Sequence, residues 1–295
     1  MTEVLAAFDR HRRLLFTVAY QMLGSVADAE DTVQDAWLRW SAADRADVDD
    51  PKAYLVRVVS RLALDRLGAA RTRRETYVGP WLPEPLVTDT APDPGEAAEV
   101  AEQVSLALLV VLETLSPLER AVFVLREVFG LPVAEVATAV DRSEAAVRQL
   151  AHRAREHVQA RQPRFDPDRR TQEQVTERFF NAVAGGDIDA LMAVLSPGVV
   201  LVSDGGGVAN AARRPIEGAD KVARFLLGIA AKGFAIPGLE VRIADVNGEP
   251  GFAAWVDGTP FMAVSPVVGD DRIEQVLVVV NPSKLVGLGP SAPPG

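Results

Sequence analysis

The sequence predicts two all-helical domains followed by one α+β domain, and three observations carry that fold class. Apolar side chains recur at helical spacing through residues 3–74 and again from about 100 to 161. A stretch with five prolines and two glycines, residues 75–100, separates the two helical parts. From residue 172 helices give way to four strand-like runs, at 239–246, 251–257, 260–268 and 272–280, which is the order of an α+β layer. The expected organisation is a helical domain at 1–74, a linker at 75–100, a second helical domain at 101–161, an α+β domain at 172–285 and a disordered tail at 286–295.

Composition narrows the functional class. A formal net charge of −10 argues against a general polyanion binder, because the whole-molecule field repels nucleic acid. The absence of cysteine excludes disulfides, thiolate metal sites and a cysteine nucleophile, and fits a reducing compartment. No apolar run approaches the roughly 20 residues of a membrane span. The N-terminus "MTEVLAAFDRHRRLL" is charged within its first turns and does not read as a signal peptide. A cytoplasmic location is expected.

The first domain is divided by charge. In "DAEDTVQDAWLRW", Asp28, Asp31 and Asp35 share one helical stripe, while Val33, Ala36, Trp37 and Trp40 collect on the opposite side. Such a helix buries its tryptophans and shows carboxylates to solvent or a partner. "DDP" at 49–51 supplies an N-cap and a proline at the first helical position. The helix it opens, residues 51–74, carries seven basic residues and one acidic one, so a strong local positive charge sits in an acidic chain.

Residues 131–158, "LPVAEVATAVDRSEAAVRQLAHRAREHV", hold the most specific signal. Val133, Val136, Ala137 and Val140 form one short amphipathic helix, Asp141 and Arg142 turn the chain, and Ser143 caps the next helix. Val147, Leu150, Ala151 and Ala154 face inward there, leaving Arg148, Gln149, His152, Arg153 and Arg155 on the other faces. Length, turn and polarity match a helix-turn-helix whose second helix enters a DNA major groove. A plain helical hairpin with a solvated basic face has the same pattern.

These segments, in this order, resemble the bacterial extracytoplasmic-function sigma factors. "MLGSVADAEDTVQDAWLRW" is similar to their region 2.2, "AYLVRVVSRLALDRLGAARTRR" to regions 2.3 and 2.4, and "LSPLERAVFVLREVFGLPVAEVATAVDRSEAAVRQLAHRARE" to region 4. The resemblance implies a region 2 helical bundle and a region 4 helix-turn-helix. It implies that Asp28, Asp31 and Asp35 meet core RNA polymerase. Arg57, Arg61 and Arg66 are then candidates for the backbone of the −10 element, with Arg71, Arg73 and Arg74 at the upstream duplex. Arg148 and Gln149 have the donors for base edges of the −35 element. Arg153 and Arg155 suit phosphates, and His152 lies on the same helix. Asp141 departs from the family's frequent glycine but tolerates the left-handed conformation.

The C-terminal part resembles a SnoaL-like (NTF2-like) cone, a curved sheet around a pocket. "WLPEP" (81–85), "DGGG" (204–207) and "NPSKL" (281–285) resemble motifs of the sigma-J-like subgroup, whose usual forms are DGGGK and NPDKL. Val208 and Ser283 depart from them, each removing a charge, which questions any salt bridge built there. Trp81, Leu82 and Pro83 are expected on one side of an intramolecular contact. Asp204, Gly205, Gly206, Gly207, Asn281, Pro282 and Lys284 are expected on the other. The competing reading makes "WLPEP" a stiff spacer and Asp204 the cap of a glycine turn.

Catalysis is not expected. All three tyrosines and all three histidines lie outside the cone, leaving Asp204, Asp245 and Asp257 as bases and Trp255 as a donor. No cofactor and no metal is implied. The partners implied are core RNA polymerase, promoter DNA, the cone itself acting in cis, and an unidentified small molecule in its pocket. The alternative function is a stand-alone, ligand-responsive helix-turn-helix regulator, which needs neither the acidic stripe nor the arginine-rich helix.

Overall fold

The computed structural model describes residues 2–43, 48–88, 104–161 and 167–289. The linker residues 89–100 and tail residues 290–295 lie outside the described residues. The chain forms two compact units, one from Met1–Thr76 with Leu108–Gln162 and one from Tyr77–Ala107 with Pro163–Gly295.

In the first unit, helices α1 (Thr2–Leu23), α2 (Val26–Ala42) and α3 (Pro51–Glu75) pack together. Leu15, Val18, Met22, Val33, Ala36, Trp40, Leu55 and Val59 are buried. The Trp40 indole donates to the Val4 carbonyl at 3.0 Å, so the tryptophan face is polar-satisfied as well as apolar. Asp50 caps α3 by accepting from the Ala53 amide, with Pro51 at the first turn, as the sequence indicates.

The same unit continues through α4 (Leu106–Leu112), α5 (Pro117–Phe123) and a π-helical turn at Val124–Val128. The helix-turn-helix follows as α6 (Val133–Val140) and α7 (Glu144–Gln159). Ser143 accepts from the Ala146 amide, closing the N-terminus of α7. Asp141 terminates α6 in the left-handed region at φ 53°. Val136, Val140, Val147, Leu150 and Ala154 are buried, the inward faces the pattern predicts.

The second unit is a seven-stranded sheet in the order β1–β4–β5–β6–β7–β2–β3. The strands are β1 (Val87–Thr88), β2 (Leu195–Asp204), β3 (Ile216–Glu217), β4 (Leu239–Val246), β5 (Glu249–Val256), β6 (Thr259–Val268) and β7 (Ile273–Val279). All neighbours are antiparallel except β2 and β7. Helices α8 (Arg169–Gly185), α9 (Ile188–Val194) and α10 (Ala219–Gly233) complete the unit. Phe179, Leu191, Val222, Leu226, Phe252 and Val276 form the core between helices and sheet.

Two differences from the sequence expectation concern chain that reads as irregular. Val87–Thr88 of the proline-rich stretch pairs with Val246 and Asp245, adding an edge strand to the cone. The Asn247 side chain and amide fix the register by bonding both the amide and the carbonyl of Leu86. The start of the expected disordered tail, Val286–Leu288, is a short 3-10 turn after buried Leu285, and the Trp255 indole donates to the Gly289 carbonyl.

Aspartate in the left-handed region is strained relative to glycine by up to about 1 kcal/mol. Asp141→Gly is therefore expected to raise the unfolding temperature of the helical unit by roughly 2–4 °C. Asp141→Val, β-branched at the same φ, is expected to lower it; calorimetry on both variants checks the sign.

Candidate nucleic-acid interface and linker clamp

The arginine-rich helix is not a row of unengaged cations. Arg66 turns toward α2, donating to the Asp28 carbonyl, the Thr32 hydroxyl and the Asp35 carboxylate at 2.7–3.0 Å. Arg73 pairs with Asp28 at 2.7 Å. Two members of the acidic stripe therefore bind α3, while Asp31 is exposed. Arg66, expected at a DNA backbone, is engaged here with α2, where one guanidinium satisfies three oxygens at once.

Arg61 donates to the Thr138 and Ala139 carbonyls at the C-terminal end of α6. Cations are favoured there because the last carbonyls lack helical partners. Arg57 lies over the Tyr54 ring at 5.2 Å. Arg74 pairs with Glu113 and donates to the Leu23 carbonyl. The side chain of Arg71 lies outside the described residues.

Arg120, 2 % exposed, is a buried cation the sequence pattern does not flag. It donates to the Gln21 carbonyl at 3.0–3.1 Å and pairs with the same Glu113. Glu113 thus bridges Arg74 of the arginine-rich helix and Arg120 of α5. Burial pulls both guanidinium pKa values down to about 9, helped for Arg74 by the neighbouring Arg120 charge. Both are still cations at neutral pH. On α7, Arg148, Gln149, His152, Arg153 and Arg155 are exposed. Arg148 pairs with Glu144, Arg153 with Glu119 at 3.2 Å, and Arg155 with Glu127 at 3.8 Å.

In the second unit one carboxylate gathers the motif residues. Asp204, at the end of β2 and 0 % exposed, accepts from the Tyr77 hydroxyl at 2.6 Å and the Gly206 amide at 3.0 Å through Oδ1. Its Oδ2 accepts from the Leu82 amide at 2.8 Å and Lys284 Nζ at 2.7 Å. Lys284 also donates to the Leu82 carbonyl and sits 4.0 Å from the centre of the Trp81 ring, a cation–π contact. The Asn281 amide group donates to the Tyr77 oxygen at 2.7 Å. Burial, then Asp204, raises the Tyr77 pKa, so the phenol stays a donor.

The local sequence makes this clamp possible. A Cβ on Gly206, at φ 61°, would fall 2.4 Å from the Asn281 side chain, and one on Gly205 would fall 2.6 Å from the Ala209 carbonyl. Gly207, at φ 76°, is the one beneath the linker, where a Cβ would fall 3.0 Å from Val78. Leu82 and Pro83 are buried. Asn281 caps the turn at Pro282–Lys284 and so aims Lys284 inward. The two departures are accommodated: Val208 is exposed, and Ser283 bonds Asn281 Oδ1. The buried salt bridge uses Lys284 and Asp204, neither of which is a departing position. Asp204 does cap a glycine turn, but that is one of its four partners. Tyr77 was invisible as a partner because it lies 127 residues from Asp204 and outside the five-residue linker motif.

The remaining candidates for a catalytic base are placed differently. Asp245 is held by Arg169 at 2.7–2.8 Å. Asp257 sits in the left-handed turn between β5 and β6. Among the described residues no cluster of three metal-ligating side chains occurs, and no helix is long and apolar enough to cross a membrane.

Residues 7–73 match Sigma-70 region 2, residues 105–158 match Sigma-70 region 4, and residues 176–273 match the SnoaL-like domain. These define the class, a two-part sigma-70 protein with an α+β extension. The chain belongs to the extracytoplasmic-function RNA polymerase sigma factors. It is 44% identical to the ECF RNA polymerase sigma factor SigJ of Mycobacterium tuberculosis, covering 96% of this chain and 93% of that one. It is 34% identical to the probable factor SigI of the same species, over 96% and 94%. The crystal structure of SigJ superposes with a TM-score of 0.78 at 41% identity, covering 96% of this chain and 98% of that one.

Removing one partner of a buried charge pair leaves the other uncompensated, which costs about 3–5 kcal/mol. Asp204→Ala and Lys284→Met are each expected to destabilise the second unit by that order. The double variant should cost less than the sum of the singles. Urea denaturation of the four proteins gives the cycle, and strict additivity would contradict the clamp.

Proposed function

We propose that this sigma factor binds bacterial core RNA polymerase through its region 2 bundle, reads promoter DNA with α3 and α7, and is controlled in cis by its cone. The observation that carries the control is the Asp204 clamp. Residues 77–88 follow directly on α3 and lead along the chain to the second DNA-reading part. Anchored on the cone, they shorten the chain that can span between the two readers. A fused regulator of this kind acts at high effective concentration without a separate inhibitor.

The exposed Asp31, with Asp28 and Asp35 beside it, suits a basic polymerase surface. Arg61, Arg73 and Arg74 would exchange their present carbonyl and carboxylate partners for phosphates once the helices of the first unit separate. Arg148 would likewise give up Glu144, whereas Arg57 and Gln149 hold no carbonyl or carboxylate among the described residues. This favours a closed resting state and fits an acidic protein delivered to DNA by its polymerase. A regulatory rather than enzymatic cone is favoured because no carboxylate, histidine or tyrosine lines its cavity among the described residues.

Run-off transcription with core polymerase on the protein's own upstream region tests this. The full chain should support transcription that depends on added protein. Asp204→Asn and Lys284→Met should change its yield by at least threefold, and a 1–165 truncation should move it in the same direction. Activity identical in all four proteins would contradict cis control. Duplex binding without core binding would favour the stand-alone regulator.

A further inference from the structure

A cavity of about 160 Å³, separate from the one inside the cone, lies where residues 78–80 of the linker meet the loop from Gly205 to Arg213. Both walls belong to the second unit. They approach closely: a Cβ on Gly207 would fall 3.0 Å from Val78, and one on Gly79 would fall 4.0 Å from the Arg213 backbone. The volume is below the roughly 300–1,000 Å³ of sites for drug-sized molecules, so its occupant is small.

The lining is mostly polar, yet Ser203, Asn210 and Arg213 are its only polar side chains among the described residues, so much of the polarity is main chain. The Ser203 hydroxyl is already committed to the amide and carbonyl of Ala212. The amides of Gly79, Gly207, Asn210 and Ala211, by contrast, donate to no protein acceptor among the described residues. Arg213 is the one charged residue of the lining, and it makes no ion pair or hydrogen bond among the described residues. No carboxylate of the described residues lines the cavity. The neighbouring Asp204 is taken up by Lys284, Tyr77 and the amides of Leu82 and Gly206. Donors without acceptors around an unpaired guanidinium make a place for an anion.

We propose that this cavity binds a phosphoryl dianion, as free phosphate or as the phosphate of a small ester, and that the bound anion holds linker residues 78–80 against the cone. Phosphate suits the site better than a carboxylate because it presents acceptors in more directions, and the guanidinium fork takes two of them at once. Since one wall is linker, the anion binds the docked arrangement better than the released one and shifts the linker toward the clamp. The proposal concerns linker docking and stands whether or not the cone controls transcription.

The test is isothermal titration calorimetry on the full chain at constant ionic strength, with inorganic phosphate and glycerol 3-phosphate as probes. At least one should bind saturably with a dissociation constant of about a millimolar or tighter. Tighter binding of the ester would support the site and identify a phosphomonoester as its ligand; tighter binding of inorganic phosphate would support it and identify the free ion. Arg213→Gln should weaken the better probe at least fivefold. Val208→Lys, which adds a cation at an exposed lining position, should tighten it at least threefold. Arg224→Ala, outside the lining, should leave it unchanged. Saturating probe should also slow hydrogen exchange of residues 77–82 at least threefold. Binding of neither probe, or unchanged affinity in Arg213→Gln with wild-type circular dichroism, would overturn the site. Equal weakening by Arg213→Gln and Arg224→Ala would mark a general charge effect and overturn it too. Exchange of residues 77–82 unaltered by saturating probe would overturn the hold on the linker and leave the anion site standing.

Discussion

A carboxylate with no access to water has to be satisfied by the protein, and Asp204 dictates much of the second unit on that account. Its two oxygens take a phenol, two backbone amides and an ammonium group. Three of those donors come from residues far away in the chain. The desolvation of Asp204 and Lys284 is offset only when the Tyr77–Leu82 segment lies in place. Linker placement, the glycine turn and the Asn281 turn therefore stand or fall together.

The first unit follows the same logic with opposite charges. Arg120 is buried and needs acceptors, which Gln21 and Glu113 provide. Glu113 then draws in Arg74, so a cation of the arginine-rich helix is tied to the region 4 part of the unit. Arg61 at the end of α6 adds a second tie. Cationic side chains of the arginine-rich helix are thus held by carbonyl and carboxylate oxygens of their own unit.

Local rules read well from the sequence. The helix caps at Asp50 and Ser143, the left-handed Asp141, the inward faces of α6 and α7 and the four consecutive strands of the cone all follow from short-range pattern. The motif residues Leu82, Asp204, Asn281 and Lys284 were also visible as a group, although not which atoms they exchange. Long-range polar partners were not legible. Arg66 reads as a surface cation until its distance from Asp35 is known, and Arg120 sits in a helix whose periodicity does not mark it as buried. The strand at Val87–Thr88 is two residues long, too short for alternation to register, and exists because Asn247 and β4 offer an edge.

Hydrogen–deuterium exchange of the peptide covering residues 77–86 tests most directly whether Asp204 holds the linker. In the full chain the Leu82 amide should be protected by a factor comparable to the strand amides of β2. In Asp204→Asn that protection should fall by at least tenfold while the strands of the cone keep theirs. Rapid exchange of Leu82 in the unaltered protein, or protection unchanged by the substitution, would contradict the account.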